Sequence, residues 1–417
     1  MKARNQFLSR YAAIDATALD GFPRRYARVL VVPAFAERPE FYRRLLQRQE
    51  ADPPALLVLV LNAPEHASID DIDRTAQAAQ LIARQHTLLW QSATGPGLSL
   101  HAGGAECPLD LLCLQRFATD QRLPCKQGVG LARRLGADLA AHLIATGKVH
   151  CPWIFNSDAD AVLPRGYFEA AQSLPEDAVG LCYPFDHQPC GDNALDRAVA
   201  QYEASLQHYV NGLKRAGSDY AFHTIGSCMA VELDAYTHVR GFPKRAAGED
   251  FYLLNKLAKL GAIVSPEHPV VKIRTRASRR VPFGTGPAIA RIAERQARGG
   301  AHLDYHPQVF ASLRLALEEI HQVGTCSEIA VRIGDDPQSW AGEATHRRAL
   351  CAVGFPAALN AALKTRSTQT QYQRHMHDWF DAFRQLKFIH YLSNHEYPKQ
   401  PLDYVSYRAS ITGHSGV

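Results

Sequence analysis

Two carboxylates directly follow a short apolar run near the middle of the 417-residue chain. Residues 153–155 are typical of a buried strand, residues 156–157 of a turn, and Asp158 and Asp160 come next. Side chains two residues apart on an extended backbone point to the same side, so these carboxylates can share one ligand. Hard oxygen ligands favour Mg2+ or Mn2+, which would bridge to phosphate groups. The alternative is that Asp158 caps a helix and Asp160 is a solvated turn residue.

Two further charged positions could contribute to the same chemistry. Gly248-Glu249-Asp250 begins a predicted helix, where the acids could act as a proton acceptor or simply favour the helix dipole. Arg133 lies in the first turns of a helix that begins at the glycine-rich Gly128, where a cation opposes the dipole. A nearby anion would explain this arginine, and a solvated helix face is the alternative.

The elements that must position these residues alternate between strands and helices. Apolar runs predict strands at 27–32, 55–61, 87–90, 153–155 and 178–185. Helical patterns occupy about 40–50, 70–84 and 165–174, and a strong helix begins at 128 with a leucine stripe that reaches Leu143. This rhythm predicts right-handed crossovers and an α/β fold with a mainly parallel sheet flanked by helices. Residues 92–126 interrupt the rhythm and are interpreted as a loop or hairpin insertion, with a possible strand at 111–114.

The character of the chain changes twice along its length. A polar lead-in covers residues 1–26, and the strand–helix rhythm covers 27–275. Residues 276–417 begin with a basic, glycine-containing loop and continue as a helical extension, with helices predicted at 308–322, 356–364 and 371–391. Three regions are therefore predicted: a lead-in, an α/β domain and a helical C-terminal region.

Composition excludes several classes of protein. The net charge of +5 is spread without a basic block, which argues against a nucleic-acid partner. Nine cysteines occur without a Cys-x-x-Cys pair, which argues against a zinc ribbon or a secreted disulfide framework and predicts a cytoplasmic protein. No amino-terminal signal peptide is expected, and the longest apolar run, 55–61, is too short for a transmembrane segment.

Together, the order and spacing of these motifs resemble those of family 2 glycosyltransferases with the GT-A fold, members of the nucleotide-diphospho-sugar transferase superfamily. The resemblance lies in residues 31–37 (Val-Val-Pro-Ala-Phe-Ala-Glu), 128–133, 156–161, and 241–242 with 248–250, and covers roughly 27–275. It implies a metal-dependent enzyme that transfers a sugar from a nucleotide-diphospho-sugar to the hydroxyl group of an acceptor. The acceptor itself, whether saccharide, lipid-linked or small molecule, is not indicated.

The resemblance also implies roles for single residues near the nucleotide. The turn after the first strand would hold the base and ribose, through Pro33, Phe35 and Glu37. Asn62, at the end of the second strand, would read the base; the family more often has aspartate there, so uridine and guanosine both remain possible. Arg133 would lie near the nucleotide.

The remaining implied roles concern the metal and the reaction. Asp158 would lie by the ribose and the metal, Asp160 would bind Mn2+ or Mg2+ at the diphosphate, and His268 is a candidate third ligand with a surface loop as the alternative. Asp250 would be the catalytic base, with Glu249 positioning the acceptor and inversion at the anomeric carbon. In the basic loop, the guanidinium groups of Arg276 and Arg280 could close over the diphosphate.

Three other functions are compatible with parts of the pattern. A nucleotidyltransferase would carry a glycine-rich basic loop after the first strand, which 33–37 is not. A catalytically degenerate nucleotide-binding or scaffold module would be expected to lose its catalytic carboxylates. The chain retains all four, namely Asp158, Asp160, Glu249 and Asp250. An NAD-binding oxidoreductase is disfavoured because Gly128-Val-Gly lacks a third glycine and a strand directly before it.

Overall fold

The chain folds into two compact units, seen in a computed structural model that describes residues 2–45, 55–95, 97–105, 107–275, 285–323, 333, 336–365 and 368–401. The first unit comprises Met1–Asp192 and Thr224–Pro287, and the second comprises Asn193–His223 and Ala288–Val417. Residues 193–223 therefore pack with the C-terminal segment, whereas the sequence pattern placed them inside the 27–275 domain. The predicted lead-in belongs to the first unit.

The first unit is built from strands and helices that alternate along most of its length. Its strands are β1 (Arg28–Ala34), β2 (Ala55–Asn62), β3 (Leu88–Gln91), β4 (Leu98–His101), β5 (Asp110–Arg116), β6 (Trp153–Asn156), β7 (Ala161–Val162), β8 (Ala178–Cys182), β9 (Phe185–Gln188), β10 (Met229–Glu232), β11 (Ala262–Val264) and β12 (Val271–Arg274). Its helices are α1 (Lys2–Arg10), α2 (Ile69–Gln85), α3 (Gly128–Ala145), α5 (Leu233–His238) and α6 (Glu249–Leu257).

The main sheet has nine strands in the order β11-β8-β10-β6-β1-β2-β5-β4-β3. Strand β1 pairs in parallel with both β6 and β2, and β2 pairs in parallel with β5. Only β10 and β4 run against the other strands of this sheet, as their antiparallel pairings show. The prediction of a mainly parallel α/β sheet flanked by helices is confirmed. A smaller sheet, β7-β12-β9, follows the Asp-x-Asp turn.

Strands β1 and β2 are buried along their whole length, which explains why both read as continuous apolar runs. Helix α3 covers them closely, because a Cβ at Gly136 would lie 2.4 Å from Val31 Cγ1. Phe7 of α1 packs edge-on against Tyr236 of α5, with ring centroids 5.6 Å apart. Phe22 and Tyr26 are also buried, so the lead-in, although polar in composition, is fixed to the unit by several buried aromatic rings.

The insertion at 92–126 supplies β4 and β5, which pair as an antiparallel hairpin, and the possible strand at 111–114 lies inside β5. Strand β5 also pairs in parallel with β2, so this segment belongs to the main sheet. The helix expected at 165–174 is only a 3-10 turn, Glu169–Gln172, because Gly166 adopts a left-handed φ of +77° just before it. Helix α2 is capped by Ser68, whose side chain accepts a bond from the Asp71 N–H.

Another predicted helix, at about 40–50, is described only in part. Residues Phe41–Arg44 form a 3-10 turn there, and residues 46–50 lie outside the described part of the chain.

The second unit is helical, as the C-terminal extension was predicted to be. It contains α4 (Asn193–Arg215), most of α7 (Thr285–Ala297), α8 (Pro307–Val323), α9 (Pro337–Gly342), α10 (Thr345–Ala352), α11 (Phe355–Thr365), α12 (Gln369–Trp379) and α13 (Ala382–His395), with a small pair β13 (Leu303–Asp304) and β14 (Gln400–Pro401). Within this unit α4 meets α8 where Gly212 leaves room for the ring of Phe310. No helix in the described ranges is both long and apolar enough to cross a bilayer.

Candidate active site

The carboxyl ends of three adjacent parallel strands bring the predicted site residues to one edge of the main sheet. Strand β1 ends at Ala34, β2 at Asn62 and β6 at Asn156, with Ala34 opposite Leu61 and Val31 opposite Asn156. Asn62 is the last residue of β2, and the segments that follow β1 and β6 carry Phe35 and Asp158. Open α/β sheets usually bind ligands at this edge.

The Asp-x-Asp segment is a tight turn between β6 and β7. The Ser157 N–H donates to Val31 O at 3.0 Å, and the Ala161 N–H donates to Asp158 O at 3.1 Å. The Asp158 side chain is 38% exposed. Asp160 is half-buried, and its backbone oxygen accepts the Arg274 N–H at 3.0 Å. The backbone of the turn is therefore fixed on both sides, while both carboxylates remain partly accessible.

Arg133 links this turn to the acidic helix start. Its guanidinium donates from Nη2 to Asp158 Oδ1 at 2.7 Å and from Nε to Glu249 Oε1 at 3.1 Å. A third bond runs from Nη1 to Gly226 O at 3.0 Å, and Arg133 is only 2% exposed. Burial alone would lower the pKa of Arg133, but the two carboxylates more than offset this effect and raise it. The predicted anion beside Arg133 is thus a pair of acids from the protein itself.

Glycines allow these segments to approach each other. A Cβ at Gly226 would lie 2.5 Å from Arg133 Nη2, and one at Gly130 would lie 2.5 Å from Arg245 O. The Gly130 N–H donates to the same Arg245 oxygen at 3.0 Å. The glycine-rich start of α3 therefore packs against the loop before Gly248 and does not present its amides to a dinucleotide.

Helix α6 begins at the acidic pair. Gly248 precedes it with a left-handed φ of +73°, and Glu249 is 4% exposed. Asp250 Oδ1 accepts the Phe251 N–H at 2.7 Å. Burial and the charge of Glu249 raise the pKa of Asp250 from 3.8 to about 7, although the Phe251 bond and Arg133 act in the opposite direction. Asp250 can therefore both hold and release a proton near neutral pH.

The residues expected at the nucleotide base lie at the same edge. The Asn62 side-chain amide donates to Ala34 O at 3.2 Å and to Val60 O at 3.0 Å, which assigns its nitrogen to the carbonyls and leaves its oxygen as the acceptor. Phe35 and Glu37 flank Ala36, which has a φ of +52° and whose N–H is bound by Thr75 Oγ1 at 3.0 Å.

Other predicted residues are placed differently. Pro33 is buried inside β1, opposite Val60. His268 is exposed on the loop between β11 and β12. Among the residues that the structure describes, His, Cys, Asp and Glu side chains form no group of three that could hold a metal ion. The predicted set of Asp158, Asp160 and His268 therefore does not form such a group in the described chain.

Arg276 and Arg280 of the predicted basic loop lie outside the described residues. Sequence reasoning missed Arg116, which ends β5 directly opposite Asn62. Burial lowers the pKa of Arg116. Arg116 could have been recognised from the sequence, because a charged residue after an apolar run often marks the carboxyl end of a strand. It was overlooked because 92–126 was interpreted as an insertion.

Comparison with known proteins finds structural likeness without sequence likeness. No known family profile matches this chain. No curated protein sequence matches it either. Among solved structures, S. aureus TarS 1–349 in complex with UDP-GlcNAc is similar, with 9% identity, a TM-score of 0.36, and coverage of 88% of this chain and 91% of that one.

Two further solved structures are similar along much of the chain. The mannosyltransferase PcManGT from Pyrobaculum calidifontis, in complex with GDP-Man and Mn2+, has 14% identity and a TM-score of 0.34, with 92% of each chain covered. The glucosyl-3-phosphoglycerate synthase from Mycobacterium tuberculosis, in complex with Mn2+, UDP and glucosyl-3-phosphoglycerate, has 12% identity and a TM-score of 0.30, with 70% and 87% covered.

Replacing the buried guanidinium tests its role in stability. Arg133→Lys keeps the charge but loses the planar fork, so at least one buried acceptor loses its partner. We expect the free energy of unfolding to fall by about 2–4 kcal/mol, measured by urea denaturation. The exposed Arg44→Lys serves as the matched control and should change it by less than about 0.5 kcal/mol. Equal effects of the two substitutions would contradict a central role for Arg133.

The raised pKa of Asp250 predicts a specific pH dependence of stability. Between pH 3.8 and about 7 the folded state holds a proton that the unfolded state releases, so this group makes wild-type stability fall as pH rises. Asp250→Asn keeps an acceptor for the Phe251 N–H and removes the titration. Relative to wild type, the variant should gain about 2–3 kcal/mol between pH 5 and pH 8. The exposed Asp177→Asn should show no such gain, and a flat difference for Asp250→Asn would refute the raised pKa.

Proposed function

We propose that this chain is a metal-dependent glycosyltransferase of the GT-A type, which transfers a sugar from a nucleotide-diphospho-sugar to an acceptor hydroxyl. The observation that carries the proposal is the Arg133 bridge between the Asp158 turn and the Glu249–Asp250 helix start. It places an acid that titrates near neutral pH in one electrostatic cluster with carboxylates suited to a cation. The cluster occupies the edge of the sheet where nucleotides usually bind.

Asp158 and Asp160 are the residues that would hold the metal. Both are partly accessible carboxylates two residues apart on one turn, and Mg2+ is usually bound by one or two carboxylates together with substrate phosphates and water. When bound, Mn2+ or Mg2+ would neutralise negative charge on the diphosphate leaving group. Arg133 contributes by orienting Asp158, since its guanidinium faces protein acceptors.

Asn62, Phe35 and Glu37 would receive the nucleoside. The amide oxygen of Asn62 can accept a ring N–H, which both uracil and guanine present. Phe35 offers an apolar ring on the turn after β1, and Glu37 follows on the same turn as a possible ribose partner. The missed residue Arg116 supplies positive charge beside Asn62, which suits an anionic donor.

Asp250 is proposed as the base. The acceptor oxygen attacks the anomeric carbon while the bond from that carbon to the diphosphate breaks, and the hydroxyl proton passes to the Asp250 carboxylate. A single displacement of this kind inverts the anomeric configuration. Glu249 is held by Arg133 and positions the adjacent Asp250. A small-molecule, saccharide or lipid-linked acceptor, the absence of a nucleic-acid partner, and cytoplasmic location remain predictions from the sequence.

Nucleotide binding tests the donor site. In a thermal-shift panel of UDP, GDP, CDP and dTDP with Mn2+ or EDTA, one nucleotide should stabilise the protein only with Mn2+, by about 2.7 kcal/mol at one hundred times its Kd. Asp160→Ala should abolish that shift, whereas the exposed Asp73→Ala should retain it. No shift with any nucleotide would refute the donor site.

Transfer activity tests the base separately. Release of nucleoside diphosphate from a set of nucleotide-sugars, with mono- and oligosaccharides as acceptors, should fall by about 10²–10⁴-fold in Asp250→Asn. The nucleotide-induced thermal shift should persist in the same variant, because Asp250 does not hold the donor. Full activity in Asp250→Asn would show that another group is the base. Binding without transfer in the wild type would instead favour the degenerate nucleotide-binding module.

A further inference from the structure

A second cluster of reactive side chains lies just beyond Asn62, outside the proposed transferase site. Cys125 Sγ is 3.1 Å from His66 Nδ1 and 3.6 Å from Glu65 Oε2. The Cys125 N–H also donates to the Glu65 carboxylate at 3.4 Å. All three residues are exposed. An imidazole in contact with a thiol can accept its proton, and this pairing is one by which enzymes activate a nucleophilic cysteine.

Two backbone segments hold this cluster together. The Glu65 N–H donates to Leu123 O at 2.9 Å, and the Leu123 N–H donates to Ala63 O at 2.9 Å. Directly after Cys125, the Gln127 N–H donates to Pro124 O at 2.8 Å at the start of α3. His66 and Cys125 are 59 positions apart in the sequence, and these main-chain hydrogen bonds hold their two segments together. The sulfur–imidazole contact is therefore part of the fold.

Most other cysteines of the described chain are buried or half-buried, unlike the exposed Cys125. Burial raises the pKa of the thiols of Cys107, Cys113, Cys151, Cys182, Cys228 and Cys351, which makes them poor nucleophiles at neutral pH. Cys190 is exposed, like Cys125. It provides an accessible thiol in the same molecule for comparison.

We propose that Cys125 is a peroxide-reactive thiol, with His66 as its base. In the tautomer protonated at Nε2, His66 Nδ1 accepts the thiol proton. The sulfur attacks one oxygen of a hydroperoxide, the O–O bond breaks, and the proton passes to the departing oxygen. With hydrogen peroxide the products are a Cys125 sulfenic acid and water. Sulfur loses two electrons and the peroxide gains them.

The charges around Cys125 favour a role for His66 as the base that accepts the thiol proton. Glu65 faces the sulfur with a carboxylate, which would oppose a lone thiolate, and Lys126 follows Cys125 along the chain. A proton on His66 would offset the Glu65 charge when the thiolate forms. The proposal does not depend on the glycosyltransferase function, because no residue of the cluster belongs to the proposed site.

Mass spectrometry of the full chain tests the proposal. The protein is exposed to limiting hydrogen peroxide with dimedone, which traps sulfenic acid, and separately to iodoacetamide between pH 6 and 9. At pH 7, Cys125 should react at least about threefold faster than Cys190, because His66 is in place to accept the thiol proton as the sulfur attacks.

Variants identify the base. His66→Asn keeps a polar atom near the Nδ1 position but cannot take the proton, so Cys125 should then react at the rate of Cys190. The control His150→Asn changes another exposed histidine of the same unit and should leave both rates unaltered. Equal rates for the two thiols in the wild type, or an unchanged Cys125 rate in His66→Asn, would overturn the proposal. Circular dichroism checks that each variant is folded.

Discussion

The ion pairs of Arg133 are the interaction on which the candidate site depends. A guanidinium that is almost fully buried must have acceptors for its N–H groups, because an unpaired buried charge costs several kcal/mol. Its acceptors come from positions 25, 93 and 116 residues further along the chain. One side chain therefore joins the turn after β6, the segment before β10 and the start of α6.

This arrangement couples the two acidic parts of the site. Asp158 and Glu249 share one cation, so a shift of either carboxylate alters the environment of the other. Burial raises the pKa of Asp250, and the charges of Glu249 and Asp158 raise it further with only partial compensation from Arg133, which is why the proton is retained toward neutral pH. A positive charge bound beside Asp158 would reduce that repulsion, and the acidity of Asp250 would then depend on the occupancy of the neighbouring turn.

Local patterns were sufficient to predict the strands that carry the site, but not the contacts that complete it. Strands β1, β2 and β6 are continuous apolar runs, so the sequence predicted all three, with their carboxyl ends within about two residues of the observed ones. The possible strand at 111–114 lies inside β5, but its carboxyl end at Arg116 was missed because glycine and proline surround the strand and 92–126 was interpreted as an insertion. A single helix was predicted across 371–391, yet the Asp381 side chain accepts the Arg384 N–H and starts a new one. Pairings such as Arg133 with Glu249 depend on tertiary approach, which no local pattern contains.

Each unit of this protein is assembled from two separate stretches of chain, and this affects its synthesis. Helix α4 is translated before strands β10–β12 of the first unit, while its packing partner α8 begins only at Pro307. On the ribosome, about ninety further residues must therefore be synthesised before α8 can cover the apolar side of α4 around Leu213. A stop codon between the end of α4 and Pro307 would leave this side of the helix without α8. Nascent chains are therefore expected to need protection from aggregation until α8 has been synthesised.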